Sequence, residues 1–259
     1  MTDSPKLKYL YGPVASWRLG RSLGIDLISR DCTCSFDCVY CQLGPTRVRT
    51  MERDIFVPTA EIVREIGLLP DVAMDYATFS GMGEPTLALN LGEAIDAVHE
   101  LLDVPVAVLT NATLIDRDDV AGDLERAETV MAKLDAADAA MFQRMNRPVE
   151  GITFEKTVAG IRAFGEKHRD KLVLQMMFCQ INEPSAPAMA ELARTIPCRE
   201  IVLNTPLRPS GVAPISRESM ERIKALYAPL PVRSVYDAPP VSSEIVDPEQ
   251  TARRRPESE

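Results

Sequence analysis

The chain has 259 residues, of which 46% are hydrophobic and 26% charged, a composition that excludes a disordered or fibrous protein and suits one large domain. No stretch approaches the roughly 18 uninterrupted apolar residues of a membrane span, and residues 1–8 lack the apolar core of a signal peptide, so a soluble, cytoplasmic chain with no membrane partner is expected. The net charge of −9 disfavours broad adhesion to nucleic acid, which needs clustered Lys and Arg.

Residues 1–53 run against that balance. They hold eight basic residues (Lys6, Lys8, Arg18, Arg21, Arg30, Arg47, Arg49, Arg53) and five acidic ones, so this segment is +3 and the remainder −12. It reads either as a basic mouth that draws in an anionic substrate or as ordinary surface scatter. A first β-prone run spans 23–28. Directly after it come Cys32, Cys34, Cys38 and Cys41, four of the six cysteines in the chain. In a cytosolic chain of this length such a cluster reads as a metal site and not as disulfides. Zinc prefers four closed ligands in paired knuckles well apart in sequence. The packed spacing here suits an iron–sulfur cluster held by thiolates on a short loop. If Cys34, Cys38 and Cys41 take three irons of a cube, the fourth iron is left for a substrate or cofactor, as in a catalytic site. Cys32 is then a bystander.

Thr59 is placed to cap a helix whose apolar face carries Ile62, Val63 and Ile66. The second strand, 76–80, ends in Ser80-Gly-Met-Gly-Glu-Pro85. Its two glycines let backbone pass close to a ligand beside a carboxylate, and without a third glycine it is no dinucleotide fingerprint. Asn90 and Glu93 form a capping-box pattern before Ile95, Val98 and Leu102. A third strand, 105–110, closes on Thr110 and Asn111. The fourth, 129–134, leads into Ala132-Lys-Leu-Asp135, where alternation turns Lys133 and Asp135 to one face. Residues 142–148, with Asn146 and Arg147, read as a loop open to substrate. On the fifth strand, 172–178, Val173, Gln175, Met177 and Cys179 share one face, leaving Gln175 as a polar group aimed inward that needs a partner. Ser185 precedes the spacing Met189, Leu192, Ala193 and Ile196 of another helix. A sixth strand, 200–204, ends in Asn204-Thr-Pro206, and Ser216 precedes Met220, Ile223 and Tyr227. After Asp237 the composition turns to Pro, Glu, Ser and an Arg triplet, so residues 238–259 are expected to be a flexible tail to a domain over 1–237. His99 and His168, the only histidines, sit in last helical turns, where a cation suits the helix dipole. Neither is given a catalytic role.

Strands alternating with helices argue for a parallel sheet, and six such units imply a partial (β/α)6 barrel, whose reacting groups sit where strands end.

Cys34-Ser-Phe-Asp-Cys38-Val-Tyr-Cys41 resembles the CX3CX2C signature of the radical S-adenosylmethionine (SAM) superfamily, including an aromatic residue, Tyr40, before the last cysteine. Tyr11-Gly-Pro-Val-Ala-Ser-Trp-Arg-Leu-Gly-Arg-Ser-Leu-Gly-Ile-Asp26, Gln42-Leu-Gly44, Gly81-Met-Gly-Glu-Pro-Thr86 and Leu203-Asn-Thr-Pro206 extend the likeness to a bacterial and archaeal branch of Fe–S oxidoreductases related to the wyosine tRNA synthases. Two features depart from that branch. Ala15-Ser-Trp-Arg18 stands where it usually reads Pro-Ser-Arg-Arg, and Cys32 is an extra thiol.

The resemblance implies a TIM-barrel-like enzyme with a [4Fe-4S] cluster on Cys34, Cys38 and Cys41. Reductive cleavage of SAM then gives a 5′-deoxyadenosyl radical that takes hydrogen from a substrate. It implies that Gly81, Met82, Gly83 and Glu84 receive the methionine ammonium of SAM. Tyr40, Thr110, Asn111, Lys133, Asp135, Gln175, Met177, Asn204 and Pro206 complete the implied cofactor site, Lys133 and Asp135 serving ribose hydroxyls or carboxylate unless they are an ion pair. An anionic small molecule or nucleoside is the expected substrate, with ferredoxin or flavodoxin as reductant. A tRNA substrate is disfavoured by the charge. A glycyl-radical activase acting on a partner protein, and a non-catalytic iron–sulfur or zinc protein, are the other readings.

Overall fold

Runs of Val, Ile and Leu that are buried on both faces make parallel strands. The computed structural model, which describes residues 6–28, 31–239 and 241–256, builds its main sheet from them. In chain order the strands are β1 (Leu10–Ser16), β2 (Gly20–Ile25), β3 (Thr33–Cys34), β4 (Val48–Arg49), β5 (Tyr76–Phe79), β6 (Val106–Thr110), β7 (Thr129–Lys133), β8 (Leu172–Met177), β9 (Glu200–Asn204) and β10 (Val232–Ser234). The sheet order is β1-β2-β5-β6-β7-β8-β9-β10, parallel from β2 onward, with β1 antiparallel to β2 at one edge. β3 and β4 form a separate two-residue parallel pair. The helices are α1 (Thr59–Ile66), α2 (Leu91–Leu101), α3 (Asp118–Leu124), α4 (Ala139–Asn146), α5 (Phe154–Lys167), α6 (Ala186–Arg194), α7 (Arg217–Ala225) and α8 (Pro248–Arg254). The eight strands curl into a half-barrel.

The six expected strands are β2 and β5 to β9. Two others carry too weak a local signal. β1 contains Gly12-Pro13, which demotes a run to an edge or a bulge, and both apply: its register shifts between Tyr11 and Val14. β10 has three residues, shortly after Pro229 and Pro231.

The alternation on β8 separates two cores. Leu172, Leu174, Met176 and Phe178 belong to the large core under the helices. Val173 faces the barrel interior, where Leu19, Ala107, Met131, Val173 and Val202 make a small apolar plug.

Three local expectations change. Thr59 lies inside α1, behind Pro58, and its hydroxyl accepts from Asn90 Nδ2 at 2.9 Å. Asn90, before α2, therefore uses its amide on Thr59 and Val57 and makes no side-chain cap. The segment expected as a loop over 142–148 is helical through Asn146, and Arg147 ends α4 with φ 46°.

The expected flexible tail over 238–259 is also corrected, for residues 246–255. The bulge in β1 frees both polar groups of Gly12. Its N–H donates to Thr251 Oγ1 (2.9 Å) and its carbonyl accepts from Val246 N (2.8 Å). Asp247 caps α8 through Gln250 N, so the edge strand is covered by the chain's own C-terminal segment, as exposed edges generally must be.

Candidate active site

The cysteine loop begins on β3 and is fastened on three sides. Cys34 pairs in register with Arg49 of β4. The loop after β5 meets it through Thr33 N to Met82 O (3.1 Å) and Glu84 N to Thr33 O (3.2 Å). A Cβ at Gly83 would lie 1.8 Å from Thr33 O, so only glycine permits this approach. From the other side, Asp37 N and Val39 N donate to the carbonyls of Asn146 and Met145 at the end of α4 (2.9 and 3.0 Å). Phe36 packs edge-on against Phe142.

All six cysteines are free thiols. Three N–H groups are aimed at loop sulfurs: Phe36 N and Asn111 Nδ2 at Cys34 Sγ (3.4 and 3.5 Å), and Asn146 Nδ2 at Cys38 Sγ (3.6 Å). Burial pushes the Cys34 thiol up, helped by the Glu84 charge, and pushes Cys38 up to about 11. Cys41 is raised first by its hydrogen bond with Cys32 and then by burial. Half-buried thiols held from ionising become ligands when a cation compensates the thiolate charge. Three suit a four-iron cube that leaves one iron for another ligand. They do not make the closed four-donor shell of structural zinc. Among the described residues no three His, Cys, Asp or Glu side chains converge on a single-ion position. Cys32 is buried beside Cys41 and shares a hydrogen bond with it.

Glu84 is held by donors of the protein itself. Its carboxylate is buried, and it accepts from Thr110 Oγ1 (2.6 Å), Thr86 Oγ1 (2.8 Å), Thr86 N (3.1 Å) and Asn111 N (2.7 Å). Burial pushes its pKa up and these donors oppose that. Turned toward the end of β6, Glu84 locks the glycine loop to Thr110 and Asn111, and Asn111 in turn reaches Cys34. An acid so bonded clamps the glycine loop to the end of β6.

Lys133 and Asp135 do converge, on Tyr40. Lys133 Nζ lies 4.7 Å from the ring centroid. Asp135 accepts from the Tyr40 hydroxyl, from Asn146 Nδ2 (3.2 Å) and from Met177 N (2.7 Å). The two are not an ion pair: no carboxylate lies within 4.0 Å of Lys133 Nζ among the described residues. Tyr40 is held well above its ordinary pKa, by burial first and the Asp135 charge second.

A cavity of about 360 Å³ opens beside this group. Tyr40, Gly81, Met177, Asn204 and Pro206 line it; Met82, Gly83, Glu84, Thr110, Asn111, Lys133, Asp135 and Gln175 lie outside its wall. Gln175 does find a partner, Arg18 Nη1. Cys38 and Cys41 border a second cavity of about 300 Å³. The expected basic mouth is assembled differently from the N-terminal count. Of those eight basic residues only Arg18 lines the main cavity, joined by Arg208, Arg254 and Arg255. Arg21 and Arg53 pair with Asp75 and with Asp119 and Asp123, while Arg30 lies outside the described residues. Asn146, expected in a loop open to substrate, is instead brought by α4 to Cys38, Tyr40 and Asp135.

The family model described as the radical SAM superfamily matches residues 31–193. A UPF0026 protein of Synechocystis sp. is 43% identical over 210 residues, covering 81% of this chain and 78% of that protein. A UPF0026 protein of Methanocaldococcus jannaschii is 35% identical, covering 84% and 70%. Among solved structures, a radical SAM methyltransferase from Sphaerobacter thermophilus superposes with a TM-score of 0.58 at 16% identity, covering 82% of this chain and 65% of that one. Streptococcus suis SuiB bound to its precursor peptide SuiA gives 0.61 at 14%, covering 83% and 49%. These likenesses establish the fold, and the chain spans about half to two thirds of those proteins. The chain belongs to the radical SAM superfamily, whose cofactors are a [4Fe-4S] cluster and SAM, and within it to the UPF0026 family.

Proposed function

We propose that this chain is a radical SAM enzyme in which Cys34, Cys38 and Cys41 hold the cluster and the main cavity holds SAM and a small substrate. The observation that carries the reading is the set of N–H donors from Phe36, Asn111 and Asn146 on the sulfurs of Cys34 and Cys38. Such outer donors orient thiolate ligands and tune a cluster's potential. When bound, the cluster supplies the electron that cleaves the SAM sulfonium to methionine and a 5′-deoxyadenosyl radical, which takes a hydrogen atom from the substrate.

The chain's residues bind and position. Lys133, poised over Tyr40, offers an ammonium to the SAM carboxylate or to a ribose hydroxyl. Asp135 holds Tyr40 and the backbone of Met177 in place, so the aromatic ring and the thioether face the cavity in fixed positions. Met177, Asn204 and Pro206 form the wall against which adenine packs. The apolar plug of Leu19, Met131, Val173 and Val202 keeps water from the floor, where stray hydrogen donors would quench a radical.

The test is anaerobic reconstitution followed by iron and sulfide analysis and a dithionite-driven assay for 5′-deoxyadenosine. Wild type and Cys198→Ala are expected to load iron and release 5′-deoxyadenosine; Cys34→Ala does neither. Normal SAM cleavage by Cys34→Ala, or zinc in place of iron in wild type, overturns the reading.

A further inference from the structure

The cavity carries a charge pattern that SAM leaves over. Arg18, Arg208, Arg254 and Arg255 line it, and among the described residues no Asp or Glu does. Two nearby guanidinium groups have answering carboxylates behind the wall: Arg254 has Asp26, and Arg233, against Trp17, has Glu200. Arg18 differs. It makes no ion pair within 4.0 Å among the described residues, its Nη1 donates only to the neutral amide of Gln175, and its Nε is buried without a partner. Arg255, Arg208 and Arg233 all press their charges on it, and burial foremost, with those charges, brings its pKa down to about 10.

A half-buried cation beside other cations, with a buried and orphaned Nε donor, is a costly arrangement unless an anion completes it. The turn that holds Arg18 is itself anchored. Arg233 donates to the carbonyls of Trp17 (3.3 Å) and Arg18 (3.2 Å), and the Arg18 guanidinium stacks 5.7 Å from the Trp17 ring centroid. The Trp17 ring thus builds the platform for the next residue. A planar guanidinium fixed in this way matches the two oxygens of a carboxylate or phosphate. Elsewhere on the wall Tyr11 and Ser80 (2.7 Å apart) and Ser22 offer neutral hydroxyls for the body of a polar molecule.

We propose that this arginine wall binds an oxyanion of the substrate, with Arg18 as its principal recognition residue, so that the hydrogen donor is a small organic anion. The inference rests on the enzymatic reading above for the word substrate, and the binding site itself does not. Trp17 is the only tryptophan and borders the cavity, so its emission reports occupancy without any turnover. The full chain is titrated with inorganic phosphate and separately with succinate at constant ionic strength, with chloride as control, and SAM binding is measured in parallel by equilibrium dialysis. A saturable change with phosphate or succinate, absent with chloride, is expected, and the stronger ligand tells a phosphate ester from a carboxylate. Arg18→Met is expected to weaken it by about tenfold or more, a charge-assisted bidentate pair's share. Arg255→Gln, on the half-exposed side of the wall, weakens it less. Both variants bind SAM as wild type does. The proposal is overturned by no saturable response, by an equal response to chloride, or by variants that bind the anion unchanged. It is also overturned if SAM affinity falls in step with anion affinity, because the arginines then serve the SAM carboxylate. Anion binding in a chain that never binds SAM would support the oxyanion site while removing the enzymatic reading.

Discussion

Arg254 and Asp26, 228 residues apart in the chain, form a fully buried ion pair, Nε to Oδ2 2.7 Å, with side chains 0% and 1% exposed. The pair joins the parts that build the site. Asp26 also accepts from Met82 N (3.2 Å) in the glycine loop, where a Cβ at Gly81 would strike it. Arg254 donates to Lys8 O (2.7 Å), and its own carbonyl accepts from Gln42 Nε2 (2.7 Å), one residue past Cys41. The C-terminal helix therefore secures the ends of β2, the glycine loop and the cysteine loop at one point.

Removing one member of a buried pair leaves the other charge without its compensation, which costs about 3–5 kcal/mol. Arg254→Met is expected to lose this much in urea unfolding followed by circular dichroism. Adding Asp26→Asn to that variant restores part of the loss, because the residual charge is gone. A single variant as stable as wild type would contradict the structural role given to α8.

Glu84→Ala strands the donors of Thr86, Thr110 and Asn111 inside the protein. Hydrogen bonds to a charged group contribute about 1.5–3 kcal/mol each and are not additive. A net loss of about 3 kcal/mol is expected, with Glu84→Gln milder because the amide oxygen still accepts. If Glu84 instead binds the SAM ammonium, Glu84→Gln would weaken SAM binding with stability intact, and equilibrium dialysis beside a melt separates the two.

Gly83→Ala would place a methyl carbon where Thr33 O now sits. The nearest obstacle is the Thr33 backbone, which cannot yield as a side chain end would, so a loss of about 2 kcal/mol or more is expected. The cysteine loop must move to make room, and iron retained after anaerobic desalting is expected to fall with it. Full iron content in a well-folded variant counts against the close seating of the two loops.

Acid sensitivity has a traceable source at Asp75. Hydrogen bonds from Arg21 bring the Asp75 carboxyl down to about 2, below the roughly 3.9 of an unfolded aspartate. A group depressed in the folded state stabilises above its unfolded value and loses that contribution as pH falls through the folded one. The contribution is expected to fade between about pH 4 and about pH 2. Both side chains are more than a third exposed, so the effect is small. Arg21→Ala should flatten this part of the pH–stability curve, and an unchanged acid limb argues against the assignment.

Much of this was legible along the chain. Six strands announced themselves because burial on two faces demands continuous apolar runs, and the two-residue alternation of β8 correctly sent Val173 inward and Leu174 outward. The same alternation brought Lys133 and Asp135 to one face. β1 and β10 were silent, one broken by Gly12-Pro13 and the other three residues long, and both are stabilised by neighbours instead of by local propensity.

Local pattern by itself determined the cysteine spacing, the strand–helix alternation and hence the superfamily and its half-barrel, because backbone geometry repeats over a few residues and writes its period into the side chains. Only the tertiary structure decided which polar groups meet. Glu84 met Thr110 and Asn111, Asn146 came from α4 to Cys38 and Tyr40, and Arg18 crossed the barrel to Gln175. Helix α8 docks through Arg254, which finds a buried partner in Asp26. A buried charge must be answered somewhere, but sequence order carries no record of where, and in this chain the answers come from residues dozens to hundreds of positions away.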